Sequence, residues 1–123
     1  MVKITAKQQQ RINNTMRLLD TSFNIKYNVI KLNVGNTLQH ELAKCKKAYE
    51  LIKAGNVIIT EAVFKGGCRA DILDLLNMRV FEILASESEE ECLKKVEKYP
   101  CELEVVNVEA SKVLKQFLRE VKK

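Results

Sequence analysis

The chain has 123 residues, a formal net charge of +5 and 46% hydrophobic residues, with only four Gly and one Pro. That length supports one hydrophobic core and leaves little for a second. The scarcity of Gly and Pro argues against a long linker or a low-complexity tail. No apolar run approaches the roughly 20 residues that a bilayer-spanning helix needs. The polar stretch 1–17 lacks the apolar centre of a secretory signal, so the expectation is a cytoplasmic protein with no membrane partner. The excess of cationic side chains favours an anionic partner, of which nucleic acid is the commonest.

In chain order, the first expected element is a polar helix over 3–20, docked by Ile12, Met16 and Leu19 at i, i+4 and i+7. Lys3, Lys7, Arg11 and Arg17 surround this stripe and are the candidate DNA contacts, although a solvated helix explains them as well. Phe23, Ile25, Tyr27 and Val29 alternate with Asn24, Lys26 and Asn28. That pattern predicts a strand within 23–34 with one solvated face. A well-marked helix follows over 37–54, capped by Asn36 or Thr37 and ended by Gly55. Its apolar stripe is Leu38, Leu42, Cys45, Tyr49 and Ile52.

Three strands are then expected at 56–65, 68–76 and 79–85, separated by Gly66-Gly67 and Asn77-Met78. Turns this short predict an antiparallel meander. Ser88 and Glu91 form a capping box for a helix that reaches about Tyr99 and stops at Pro100. The strand 101–108 follows a helix and should therefore lie parallel to a neighbour. A last helix over 109–122 carries Ala110, Val113, Leu114, Phe117, Leu118 and Val121 on one face.

The chain thus reads as a single α/β domain over 1–123. It divides into a helix-and-strand extension over 1–35, an αβββαβ core with a mixed sheet over 36–108, and a C-terminal helix over 109–123.

Cys45, Cys68, Cys92 and Cys101 are 23, 24 and 9 positions apart, so no close ligand pair for a structural zinc exists. Their apolar surroundings predict buried free thiols.

Three acids carry the candidate chemistry. Glu41 lies in the first turn of the helix 37–54, at the border of its apolar stripe. Asp71 and Glu82 interrupt the apolar strands Cys68-Arg69-Ala70-Asp71-Ile72-Leu73 and Val80-Phe81-Glu82-Ile83-Leu84. A carboxylate buried in such a place needs an ion pair, a metal or an exposed sheet edge. Two carboxylates on adjacent strands and a third from a helix would make an oxygen-rich pocket suited to Mg²⁺ or Mn²⁺. Neutralisation by Arg69 or Arg79 is the competing reading. His40, the single histidine, points away from the apolar stripe and is expected in solvent. Glu61 suits a cross-strand partner for a cation, and Asp74 has the opposite strand parity to Asp71.

His40-Glu41 on a helix, Thr60-Glu61-Ala62 on a strand, Arg69-Ala70-Asp71-Ile72-Leu73-Asp74-Leu75 and Phe81-Glu82-Ile83-Leu84 together resemble the PD-(D/E)XK nuclease superfamily. The similarity is greatest to small archaeal and archaeal-virus members related to Holliday junction resolvases. It covers about residues 36–108, roughly three fifths of the chain.

The resemblance implies a restriction-endonuclease-like fold and a divalent-metal-dependent DNA phosphodiesterase, with a homodimer as a further expectation. Glu41 would be the helix acid, Asp71 the metal-binding Asp and Glu82 the acid of the ExK motif, with Mg²⁺ or Mn²⁺ held by these three. Leu84 stands where the family has its catalytic Lys. Lys44, one turn from Glu41, is the nearest replacement. Lys47 and Lys65 are poorer ones. Without a replacement, the alternatives are a catalytically silent nuclease fold that binds DNA or protein, or a homodimeric accessory protein.

Overall fold

The computed structural model describes residues 4–23, 25–85 and 89–121. Among these residues, four helices and one four-stranded sheet follow in the order α1 (Ala6–Met16), α2 (Leu38–Lys53), β1 (Ile58–Val63), β2 (Arg69–Asp74), β3 (Arg79–Leu84), α3 (Glu89–Glu97), β4 (Glu104–Glu109) and α4 (Ala110–Val121). The sheet order is β1-β2-β3-β4. β1, β2 and β3 form the expected antiparallel meander, and β4 lies parallel to β3 after the α3 crossover. The domain is α/β with a mixed sheet. None of the described helices is long and apolar enough to cross a membrane.

Local chemistry accounts for most boundaries. Thr5 and Gln8 exchange side-chain and backbone bonds at the start of α1, a capping box. Thr37 caps α2 by accepting from the His40 N–H at 3.2 Å. Asn36, the other cap candidate, instead donates its amide to Glu41. The β1–β2 turn uses Gly66 and Gly67 at φ of 97° and 94°, a region that L side chains seldom enter. In the β2–β3 turn the fully buried Asp74 carboxylate accepts from the N–H groups of Leu76 and Asn77 and pairs with Arg79 at 3.0 Å. The 86–88 stretch, with Ser88 of the expected capping box, lies outside the described residues.

Each sheet face carries one apolar cluster. Ile12, Ile59, Phe64, Leu73, Val80 and Tyr99 are members of the first, with α1 on that side. Ala43, Ala48, Leu51, Ile72, Phe81 and Ile83 are members of the second, beneath α2 and α4.

Three expectations fail. Among the described residues no strand forms within 23–34. The segment runs along the free edge of β1 and is tied there by side chains: the Thr60 hydroxyl donates to the Val29 carbonyl and accepts from the Lys31 N–H, and the Asn28 side chain accepts from the Ile58 N–H. Asn28 itself sits at φ 56°, which an extended strand excludes.

The second failure is the apolar stripe of α2, which does not face the sheet. Leu38 is 75% exposed, and Leu42 and Tyr49 are also exposed. The buried side of α2 is instead His40, Glu41, Ala43, Lys44, Ala48 and Leu51. Leu42, Cys45 and Tyr49 meet Leu114, Phe117 and Leu118 of α4 around an open groove.

The third failure concerns the cysteines. Cys101 is exposed and Cys45 and Cys68 are half-buried, all three as free thiols. The Cys92 side chain lies outside those described.

This orientation of α2 is checked by stability. Ile72→Ala, in a fully buried position, should cost about 2–5 kcal/mol. Leu38→Ala should stay within about 0.5 kcal/mol of the parent. Denaturant melts of the two variants measure both, and the reverse ranking would mean that the stripe faces inward.

Candidate functional site

The polar groups gather where the sheet's ladders fail. Thr60 pairs with Ile72 and Ala62 with Ala70, but the Glu61–Asp71 rung between them is missing from the register. β2 and β3 are registered only from Asp74↔Arg79 to Ile72↔Phe81, so the next rung, Asp71–Glu82, is missing too. Asp71 therefore lacks a registered partner on either side. Its carboxylate fills part of the gap by accepting from the Ile83 N–H at 2.8 Å. Glu61 reaches the gap from a left-handed φ of 53°. A non-glycine residue held so costs of order 1–3 kcal/mol, and such strain clusters at functional sites.

α2 lowers its polar side onto this defect. Lys44 has no exposed side-chain surface; its Nζ lies 2.5 Å from Glu41 Oε2 and 3.0 Å from Glu61 Oε1. One helical turn earlier, His40 places Nε2 3.4 Å from Asp71 Oδ2 and Nδ1 3.8 Å from Glu41 Oε1. His40 is buried, which corrects its expected place in solvent. The residues at i, i+1 and i+4 share the side of α2 that turned inward. Its Nδ1 is one of three buried side-chain polar atoms without a hydrogen-bond partner among the described residues. Glu41 Oε1 also accepts from the Asn33 N–H at 3.2 Å and the Asn36 amide at 2.9 Å, so the segment before α2 closes over the cluster.

The two acids respond to this environment in opposite ways. Burial alone would raise Glu41, but the Lys44 and Asn36 donors and the Lys44 charge outweigh it and hold the carboxyl below the usual range. For Asp71 burial wins: the proton is held more tightly than usual, despite the Ile83 N–H and the charges of His40 and Lys44, with Glu61 adding to the shift. Carboxyls with diverging proton affinities at one place are a mark of functional sites.

Glu82 takes a different partner. It accepts a short hydrogen bond from the Tyr99 hydroxyl, which also lies 3.1 Å from the Arg69 carbonyl. Burial, then this bond and the Glu82 charge, push the Tyr99 phenol well above its ordinary range. Asp71 is thus turned to α2 and Glu82 to the apolar cluster on the other face.

The structure brings Glu41, Lys44, Asp71, Glu61 and His40 together, whereas Glu82 is tied to Tyr99. Arg69 and Arg79 do not neutralise the site acids; Arg79 serves Asp74. Asp74, of opposite parity to Asp71, is held away from the cluster as a buried cap of the β2–β3 turn. Glu61 does pair with a cation, though from the helix and not across strands. Leu84, in the position of the missing motif lysine, is half-buried and registered with Glu109 of β4.

The donor set does not fit a divalent ion as it stands. Among the described residues no three His, Cys, Asp or Glu side chains come together as a metal site. Glu41 spends both oxygens on protein donors and cations, Glu61 serves Lys44, and Glu82 serves Tyr99. Of the candidate DNA contacts, Lys7, Arg11 and Arg17 are exposed on or just after α1, and Lys3 lies outside the described residues. The chain matches no family model, no curated protein and no solved structure.

The buried ion pairs set two expectations. Lys44→Met leaves two buried carboxylates without their cation and should cost about 3–5 kcal/mol of stability. A loss below about 1 kcal/mol would mean that Lys44 reaches solvent.

The second expectation concerns pH. Glu41 contributes stability above its ordinary titration range, and loses it as pH falls through its lowered value. Glu41→Gln should therefore destabilise by about 1.5–3 kcal/mol at neutral pH, with the difference shrinking in acid. Asp71 has the opposite sign. Its penalty is absent below the ordinary carboxylate range and grows as pH rises through its raised value. Asp71→Asn, which keeps an acceptor for Ile83, should be stabilising at neutral pH and neutral in acid. Thermal melts across pH decide both signs.

Proposed function

We propose that the chain is a PD-(D/E)XK-type nuclease domain, acting on DNA as a slow phosphodiesterase. One observation carries the reading. The two motif acids Glu41 and Asp71 converge, from a helix and from the second core strand, on a defect in the sheet, and a lysine stands between that pair and a third acid. α2 turns His40, Glu41 and Lys44 inward beside Ala43, Ala48 and Leu51 to make this arrangement, and buried charges carry a desolvation cost that an apolar face would not.

A bound divalent ion would supply a water of lowered pKa for attack on phosphorus. Glu41 or Glu82 would first have to leave its present partner to hold such an ion. Asp71 sits in the gap between β1 and β3, with its carboxylate taking the Ile83 N–H and facing His40. Lys44, sealed from solvent, positions Glu41 and Glu61 rather than touching a phosphate. Lacking a cation at Leu84, the domain forgoes a contribution worth about 10²–10³ in rate, which supports a slow enzyme.

The basic side chains fit the same partner. Besides Lys7, Arg11 and Arg17, α4 carries Lys112, Lys115 and Arg119 along one side of a shallow depression. Cations arrayed on a surface release counterions from a polyanion and make binding salt-dependent.

A second reading has its own observation. Every carboxylate of the helix–strand cluster except Asp71 is already paired with a cation, as expected of a nuclease fold retained for binding alone.

Cleavage assays separate the two. Linear, branched and single-stranded DNA should be cut slowly with Mg²⁺ or Mn²⁺, not at all with EDTA or in Asp71→Asn, and faster in Leu84→Lys. If no substrate is cut and Leu84→Lys does not rescue, while salt-sensitive DNA binding persists, the binding module is correct. Calorimetric titration of Mn²⁺ into parent and Asp71→Asn gives an independent check, and identical isotherms would reject Asp71 as a ligand.

A further inference from the structure

A cleft of about 340 Å³ opens next to the cluster, between the irregular segment and β1. Glu61 lines it, as do Phe23, Leu32 and Val34 on the segment side, and the cations Lys31 and Arg69. Its volume is that of a small-ligand site.

We infer that this cleft is a subsite for one unpaired nucleotide of a single-stranded DNA segment, an inference that rests on the nucleic-acid reading above. The Phe23 ring is about half exposed at the wall, an apolar face on which a base can stack whatever its identity. Leu32 and Val34 extend that apolar wall. Arg69 and Lys31 supply charge for the flanking phosphate, with the planar guanidinium suited to bidentate contact.

Both acids of the cleft have protein partners: Glu61 Oε1 lies 3.0 Å from Lys44, and Asp20 Oδ1 accepts from the Ser22 N–H and hydroxyl. A base inside a duplex is stacked and paired and cannot enter a concave wall of this kind without being extruded. An unpaired end or a single strand enters at no such cost. Arg69 is also two residues from Asp71 on β2, so a phosphate held at Arg69 stands beside the cluster rather than remote from it.

The test is binding, measured in EDTA so that no cleavage is involved. Fluorescence anisotropy of a labelled oligothymidylate, and of a duplex of equal length, gives the ratio of affinities. The parent should prefer the single strand. Phe23→Ala should weaken single-strand binding roughly five- to hundredfold and leave duplex binding within about twofold, while Phe23→Tyr should restore it. Arg69→Ala should reduce the salt slope by about 1. Equal affinity for both DNAs in the parent, or equal weakening of both by Phe23→Ala, overturns the subsite.

Asp71→Asn separates this inference from the catalytic one. It should abolish any cleavage and leave the single-strand preference unchanged. A retained preference without cleavage upholds the subsite in a binding module, whereas cleavage without preference removes the subsite alone.

Discussion

A lysine ammonium sealed from water between two carboxylates is the constraint from which much of this domain follows. Lys44 has no accessible side-chain surface, and an ammonium in that position is tolerated only if opposite charge surrounds it. Glu41 meets it from the same helix and Glu61 from β1. That pairing sets the rotation of α2 about its axis. With Lys44 facing the sheet, His40, Glu41, Ala48 and Leu51 must face it as well, and Leu38, Leu42 and Tyr49 must not. The apolar residues so displaced are met by α4, whose Leu114, Phe117 and Leu118 come against Leu42, Cys45 and Tyr49. Ala43 and Ala48, both without exposed surface, let the helix approach the sheet closely enough for the charges to meet.

The sheet makes matching concessions. A regular ladder through Glu61, Asp71 and Glu82 would set all three acids on pleated rungs. Instead the ladder is interrupted, and side chains take over part of the backbone's bonding. Asp71 accepts from Ile83, Thr60 bonds both Lys31 and Val29, and Asn28 bonds Ile58. These substitutions keep buried backbone groups satisfied while opening a place for polar atoms. The strain at Glu61 belongs to the same arrangement.

Much of the fold was legible in the residues. Gly66-Gly67, the turn around Asn77, Pro100 and the β-branched runs located β1 to β4 within a few positions, and the helix-preceded strand was correctly expected to lie parallel to its neighbour. The misplaced face of α2 and the misplaced His40 have one origin. Periodicity ranks faces by apolarity, and it does not see that Glu41 and Lys44, opposite charges three positions apart, can bury each other against a third charge on a strand. The small residues Ala43 and Ala48 were the available signal for a close face, and His40 followed the same misreading. The 23–34 stretch alternated as a strand does, but its asparagines favour side-chain bonding and left-handed backbone, and at Asn28 that preference prevailed. That Glu41 and Asp71 would be held by polar partners was readable, because an acid in an apolar context demands one. Lys44 beside Glu41 was readable from the helix spacing, but His40 for Asp71, Glu61 for Lys44 and Tyr99 for Glu82 were not, since these meet only through the tertiary fold.

The unequal ladders also have a mechanical side. β1 and β2 share five registered pairs, β3 and β4 share six, and β2 and β3 share three. The sheet is therefore two stiff ribbons joined along a short seam. One end of the seam is pinned by the 75–78 turn, where Asp74 and Arg79 lock the crossing. The other ends at Asp71, where side chains bridge the strands beyond the last rung: Asp71 accepts from the Ile83 N–H, and the Tyr99 hydroxyl meets both the Arg69 carbonyl and Glu82. Such a sheet is compliant in one direction, like tongs with the pivot at the turn and the jaws at Asp71 and Glu82. Bending that would break five or six rungs elsewhere meets three rungs here, and beyond them side-chain bonds that can re-form.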